Sequence, residues 1–270
     1  MRPLVFAHRG GAALAPENTI PAFDNGLAFG ADGLEFDVHL SKDGVPVIIH
    51  DPTVDRTTDG TGAVADLTAA ELAALDAGYR FDPDGGFPWR GRAGGVPALR
   101  DVLARHTGVP LIVELKTPDP RLAHAVIERI RAARVGEHVT IGSFHDAALE
   151  TVRECAPEIR TGATTVEIRA AVTMTRVGGA AAPLRFDAFQ VPIVFNGQPV
   201  VTPELVGWAR AAGAGFTVWI VNDPTDIRRL LDWGVDGLIT DRPDIAAPIV
   251  QAYVPGPAAT RRRRVPGDPD

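Results

Sequence analysis

The sequence predicts an α/β chain folded as a (β/α)8 TIM barrel, with a small insertion after the second strand. Three observations carry that prediction. Short apolar runs alternate with helical stretches almost from end to end. With the two N-terminal runs there are eight such strands in 270 residues, and a single barrel of about 250 residues is ordinary. Polar residues collect at the carboxyl ends of the runs, where barrels keep their chemistry.

The first strand, residues 4–7, is apolar and stops at His8-Arg9-Gly10-Gly11. Pro16-Glu17-Asn18-Thr19 then opens a helix with Ile20, Phe23 and Leu27 on its apolar face and Gly30 near its end. The second strand, 33–38, alternates Leu34, Phe36 and Val38 with Glu35 and Asp37, so its two acids share the face opposite the apolar one. After Ser41-Lys42-Asp43-Gly44 the chain returns through Val45 to Asp51, a hairpin-like excursion that ends in His50-Asp51. Residues 51–96 are rich in Gly, Asp, Pro and Thr, with one clear helix from Thr68 to near Leu75; a connection that long is expected to be functional or a small insertion. A helix through Leu99, Val102 and Leu103 follows. Strands are then expected at 110–115, 139–143, 160–164, 187–191, 215–220 and 236–240, with helices near 119–133, 145–155, 167–176, 203–212, 224–232 and 242–252. Residues 1–253 thus form one domain, and the Pro-, Gly- and Arg-rich stretch 254–270 is expected to be a disordered tail.

Composition narrows the partners. Thirty-four acidic against 27 basic residues leave a net charge of −7, which excludes bulk nucleic-acid binding. No apolar run reaches the ~18 residues of a membrane span, and the N-terminal run is too short for a signal peptide, so the expected location is cytoplasmic. Oligomeric state is left open. The one cysteine, Cys155, excludes an intramolecular disulfide; its place in the stripe Leu149–Val152–Cys155 predicts a buried residue.

The strand ends carry a chemically legible mixture. His8 and Arg9 end the first strand, Glu35 and Asp37 the second, and Glu114 with Lys116 the third; His50 closes the extra run. Ser143, Gln190, Trp219 and Asp241 stand at later strand ends. Three carboxylates from two strands suit a hard divalent cation, Mg²⁺ or Ca²⁺. Arg9 and Lys116 beside such a cation surround an anion, for which a phosphate diester is the natural candidate. Two histidines can serve as acid and base on opposite sides of the phosphorus. The other five histidines are read as structural. The site therefore reads as metal-assisted cleavage of a small phosphodiester.

These residues sit in segments that together resemble the glycerophosphodiester phosphodiesterase family. The resemblance runs through Ala7-His8-Arg9-Gly10, Pro16-Glu17-Asn18-Thr19, Glu35-Phe36-Asp37-Val38, Ile49-His50-Asp51 with Arg56-Thr57-Thr58, Glu114-Leu115-Lys116, Val218-Trp219 with Asn222, and Thr240-Asp241-Arg242-Pro243. It implies a TIM barrel related to that of phosphatidylinositol-specific phospholipase C, and release of sn-glycerol 3-phosphate and an alcohol. At matching positions it implies Glu35, Asp37 and Glu114 as metal ligands and His8 and His50 as the acid–base pair. Arg9 and Lys116 would bind phosphate, with Trp219 lining the substrate site; Gln190 and Ser143 are further candidates. Ile220 stands where the family commonly has Thr, the insertion is unusually glycine-rich, and Gly178 to Ala182 matches no family motif. Two other activities remain open: a lysophospholipase D-like reaction, with Phe81, Phe87 and Trp89 offering a surface to an acyl chain, and a Schiff-base aldolase using Lys116. A non-catalytic phosphate-binding barrel has no need of two histidines.

Overall fold

The computed structural model describes residues 2–180 and 183–254; the stretch expected to be a tail lies outside them from residue 255 on. The first half runs β1 (Leu4–His8), α1 (Ile20–Ala28), β2 (Gly33–Leu40), β3 (Pro46–Ile48), α2 (Ala69–Ala73), α3 (Leu99–Arg105), β4 (Leu111–Leu115), α4 (Pro120–Ala133), β5 (Val139–Gly142) and α5 (Asp146–Cys155). The second runs β6 (Arg160–Thr161), α6 (Thr165–Arg176), β7 (Ala188–Pro192), β8 (Val194–Phe195), β9 (Gln198–Pro199), α7 (Pro203–Ala211), β10 (Gly215–Trp219), α8 (Pro224–Trp233), β11 (Gly237–Thr240) and α9 (Pro243–Ala252).

Eight of the strands pair in parallel in the order β6-β5-β4-β2-β1-β11-β10-β7. A bridge between Gly162 and Ala188 joins the two ends of that order, so the parallel sheet closes into the expected barrel. The short β3 is not a barrel stave: it pairs antiparallel with the far end of β2, Val38 opposite Ile48.

Alternation along the staves explains the packing. Val5 and Ala7, Leu34, Phe36 and Val38, and Leu111, Val113 and Leu115 face the helices and are buried in the main core. The opposite face forms a separate small cluster inside the barrel, Phe6, Ile112 and Ile239 with Trp219 against them. Two residues farther along each of three strands, the same inward face carries His8, Glu114 and Asp241. The apolar plug is the floor on which the polar site stands.

Residues 51–96 have a core of their own, Val54, Val64, Leu72 and Val96 packed with Val47 and Ile49 of the returning strand. Helix starts are capped by the residues the sequence offers. Thr68 and Thr164 each form a reciprocal capping box, with Glu71 and Glu167, and Thr19 accepts from the Ala22 amide. Gly10 has a φ of +88°, and a Cβ there would lie 2.6 Å from the Ala22 carbonyl carbon. Only glycine lets the first strand turn so closely under α1.

Several local expectations need correction. The strand foreseen over 160–164 shrinks to Arg160–Thr161. The helix foreseen from 167 starts at Thr165, on a Thr164–Glu167 box legible in the sequence. The β8–β9 hairpin was missed although Asn196-Gly197 marks it: both residues have positive φ, +49° and +74°, as a two-residue hairpin turn demands. Cys155 is exposed, its Sγ 3.4 Å from His124 Nε2, because α5 ends there and the helical stripe turns out to solvent after Val152.

Candidate active site

The carboxyl ends of the strands open into one cavity of about 770 Å³, lined by His8, Arg9, Glu35, His50, Glu114 and Lys116 among others. Strand register sets the neighbours: His8 lies beside Glu35, and Asp37 beside Glu114. Glu35, Asp37 and Glu114 each present an oxygen within 4.8 Å of the others. Oxygens held about 2.1–2.5 Å from a single hard cation fall within such a spread. All three donors are carboxylates, so the set suits Mg²⁺ or Ca²⁺ and lacks the nitrogen or sulfur that zinc prefers.

The three acids are unequally compensated. Asp37, almost fully buried, has Arg9 Nε at 3.2 Å, Lys116 Nζ at 3.3 Å and an Asn18 side-chain amide donating at 2.9 Å. Burial alone would raise its pKa, but Arg9 and Lys116 outweigh burial and it ends below the carboxylate range. Glu35 accepts from the Arg9 backbone N–H at 3.2 Å, and its nearest ionisable partner is His8 Nε2 at 3.8 Å. Burial, together with the neighbouring Asp37 charge, pushes it up to about 8. A buried carboxyl with so little compensation is the feature a divalent cation would resolve.

Each active-site imidazole has a carboxylate behind it. His8 Nδ1 lies 2.6 Å from Asp241 Oδ1, and His50 Nδ1 lies 2.7 Å from Asp51 Oδ1. An Nδ1–H donated to the carboxylate leaves Nε2 of each ring for proton transfer. Burial works against protonation of His8, yet the Asp241 hydrogen bond and the Glu35 charge win and its pKa is raised. Asp241 is itself fixed by the Asn222 amide at 2.8 Å. Asp51 is held at about 2, chiefly by Arg56, whose Nε donates to it at 2.6 Å. Arg56 also grips Glu17 at 2.7 and 2.8 Å, and Glu17 accepts from Arg9 at 2.9 Å. A chain of charge therefore runs from His50 through Asp51, Arg56 and Glu17 to Arg9. Arg9 Nε, 3.2 Å from Asp37, is buried without an aligned hydrogen bond.

Replacing Asp241 by Asn should lower kcat about 10–10²-fold with KM changed little, as expected for loss of a ring-orienting partner. Steady-state kinetics on the folded variant checks this, and a loss below threefold would take the His8–Asp241 pair out of the reaction.

The other expected residues also reach the cavity. Gln190 lines it and reaches along the adjoining strand ends to Gly162 and Gly142, where an added Cβ would meet its Oε1 at 2.8 and 2.6 Å. Trp219 lies edge-on to Phe144 at 5.8 Å. Ser143 lines the cavity, but its hydroxyl donates to Leu115 O and accepts from the His145 amide, so it is occupied in holding its loop. Phe81, Phe87 and Trp89 do not line the cavity. Phe81 faces a separate cleft beside the β1–α1 loop, and Arg90 stacks over Phe87. Asp241, Asn18, Glu17 and Arg56 received no role from the sequence. For Asn18 a signal exists only in hindsight: its φ of +60°, which Asn tolerates, aims its amide at Asp37.

The closed parallel barrel thus carries two carboxylate-backed imidazoles and an acidic cluster at one mouth. Comparison with known proteins gives the family. The model of the glycerophosphoryl diester phosphodiesterase family matches residues 8–245. This chain belongs to that family, whose members are phosphoric diester hydrolases. It is 35% identical to a glycerophosphodiester phosphodiesterase of Caldanaerobacter subterraneus subsp. tengcongensis, over 93% of this chain and 99% of that protein. The crystal structure of a glycerophosphodiester phosphodiesterase from Agrobacterium tumefaciens superposes with a TM-score of 0.74 at 30% identity, covering 91% and 99% of the two chains. An Oleispira antarctica phosphodiesterase in complex with the product sn-glycerol-3-phosphate gives 0.73 at 27% identity, covering 93% and 98%.

Proposed function

We propose that this protein hydrolyses glycerophosphodiesters to sn-glycerol 3-phosphate and an alcohol, with one divalent cation held by Glu35, Asp37 and Glu114. The observation that carries the reading is the pair of imidazoles, each tied through Nδ1 to a carboxylate at 2.6 or 2.7 Å, lining one cavity with the acidic cluster. The cation, when bound, supplies charge that stabilises the phosphoryl oxygens in the transition state. Arg9 and Lys116 complete the anion site, and Trp219 forms a wall for the substrate.

One imidazole takes the proton from the attacking oxygen while the other gives a proton to the leaving alcohol. Where the neighbouring glycerol hydroxyl attacks first, a cyclic phosphate forms and water then opens it. The two rings exchange roles between those steps, which accounts for a matched pair of supported histidines.

Lys116 supports this reading over a Schiff-base aldolase. Burial would lower its pKa, but Asp37 and Glu114, the latter at 2.8 Å, outweigh it and hold the ammonium charged. A Schiff-base lysine has to be neutral to attack.

The test is release of glycerol 3-phosphate from glycerophosphocholine and glycerophosphoethanolamine, before and after EDTA, then with Mg²⁺ or Ca²⁺ restored. Release that chelator abolishes and metal restores is expected; release indifferent to chelator would remove the cation from the mechanism.

A further inference from the structure

We infer that the cavity takes phosphodiesters in which one arm is a single extended aliphatic chain, seated between α6 and the β8–β9 hairpin. The inference rests on the phosphodiesterase reading and specifies its substrate. At about 770 Å³ the cavity lies in the upper part of the ~300–1,000 Å³ range of small-molecule sites, more than a glycerophosphodiester of a small alcohol fills. The catalytic groups occupy only its inner end. From there it continues outward along one face of α6, where Thr165, Ile168, Val172 and Arg176 recur at helical spacing. Phe195 and Val200, in and just after the hairpin, form the facing wall, and Phe144 and Ile220 flank the mouth.

These wall residues include an unusual share of uncovered apolar surface. Phe144 is 53% exposed, Phe195 46% and Ile220 39%, all lining this one opening. Apolar side chains left open around a single channel, and continuous with the reacting centre, mark a surface that an apolar ligand covers. The two-residue turn follows Phe195 directly, and Phe195 and the α6 residues line the same cavity. Phe81, Phe87 and Trp89 have no part in this lobe.

The chain can be carried on either side of the phosphate, as in a lysoglycerophospholipid or in a glycerophosphodiester of a long alcohol. Both are cleaved by the same hydrolysis, in which a P–O bond breaks and water supplies the hydroxyl and proton to the two products. Arg169 and Arg176 also line the lobe, and among the described residues neither is paired with a carboxylate. They provide the competing reading, an arm that ends in a second anion.

The experiment compares kcat/KM for glycerophosphocholine, a series of glycerophosphoalkanols from two to ten carbons, and short-chain lysophosphatidylcholines, all kept monomeric. On the metal-loaded full-length protein, kcat/KM should rise about two- to fourfold per methylene over the first several carbons in at least one series. The series that rises shows which side carries the chain. Val172→Glu and Phe195→Ser should flatten that rise and leave glycerophosphocholine turnover unchanged. Monomeric dodecylphosphocholine, a chain-bearing diester without a glycerol hydroxyl, should bind the unaltered protein in an equilibrium titration with choline release followed in parallel, and bind both variants at least tenfold more weakly. Glycerophosphocholine turnover with no dependence on chain length would overturn the inference and leave the phosphodiesterase reading standing. A preference for glycerophosphoserine over every alkyl substrate, lost in Arg169→Gln/Arg176→Gln, would overturn it in favour of an anionic arm. Absence of all turnover together with absence of dodecylphosphocholine binding would end both readings.

Discussion

Glu35→Gln should abolish detectable metal stabilisation and lower turnover by at least about 10²-fold, while the barrel stays folded. Partners one step removed from a metal commonly cost 10–100-fold, and loss of a ligand costs no less. A ligand that binds only the folded state at 100 times its Kd adds about 2.7 kcal/mol, so Mg²⁺ or Ca²⁺ should raise the Tm of the unaltered protein and not of the variant. A second signature needs no substrate. In the metal-free protein the Glu35 carboxyl titrates near 8, whereas its unfolded value is near 4.5. Between those values the folded state keeps a proton that the unfolded state has released, so Glu35 makes stability fall as pH rises from about 5 to 8. Burial lowers the pKa of His39 and His106 and tilts stability the other way below pH 6.5, but it does so in both proteins. The difference between the two denaturation curves across pH therefore reports Glu35 together with His8, whose pKa the Glu35 charge helps to raise. An equal metal-induced Tm shift in both proteins would take Glu35 out of the cation site.

His50→Ala should cost about 10²–10⁴ in kcat, the usual worth of a positioned acid or base. The side chain is about one-third exposed and lies at the end of a short strand, so little stability should be lost with it. Metal-induced stabilisation should survive, which separates a proton-transfer defect from damage to the acidic cluster. The same change at His8 provides the comparison. Whichever histidine protonates the leaving alcohol should become nearly dispensable for the first release of p-nitrophenol, read as a burst, because that leaving group departs without a proton. Loss of less than tenfold in kcat for His50→Ala on an alkyl diester would place His50 outside the reaction.

The parts of the site carried by alternation were legible in the sequence, and the parts carried by folding distance were not. Leu34 to Val38 alternate so plainly that the facing of Glu35 and Asp37 follows from strand geometry. The same alternation places Glu114 above Ile112 and His8 above Phe6. Asp241 was visible only as the last polar residue of a strand. Its role depends on the first and last strands lying side by side, and that adjacency follows from the closed topology alone. Arg56 and Glu17 are 39 residues apart, with nothing local to couple them. The wide channel at α6 and the β8–β9 hairpin escaped for another reason. Residues 177–200 carry a weak pattern, and the Asn196-Gly197 turn was the one strong local signal within them.

The contact between His8 and Asp241 joins residues 233 positions apart. The acidic cluster, by contrast, is complete once the chain has reached Glu114, and every element that shapes it lies in the first half of the sequence. Recovery after denaturation should therefore proceed in two audible beats: ion capture as soon as β2 and β4 pair, then catalysis only when β11 settles against β1. Closing so long a loop is slow relative to local pairing. Regained turnover should thus time the final docking of the two ends of the chain.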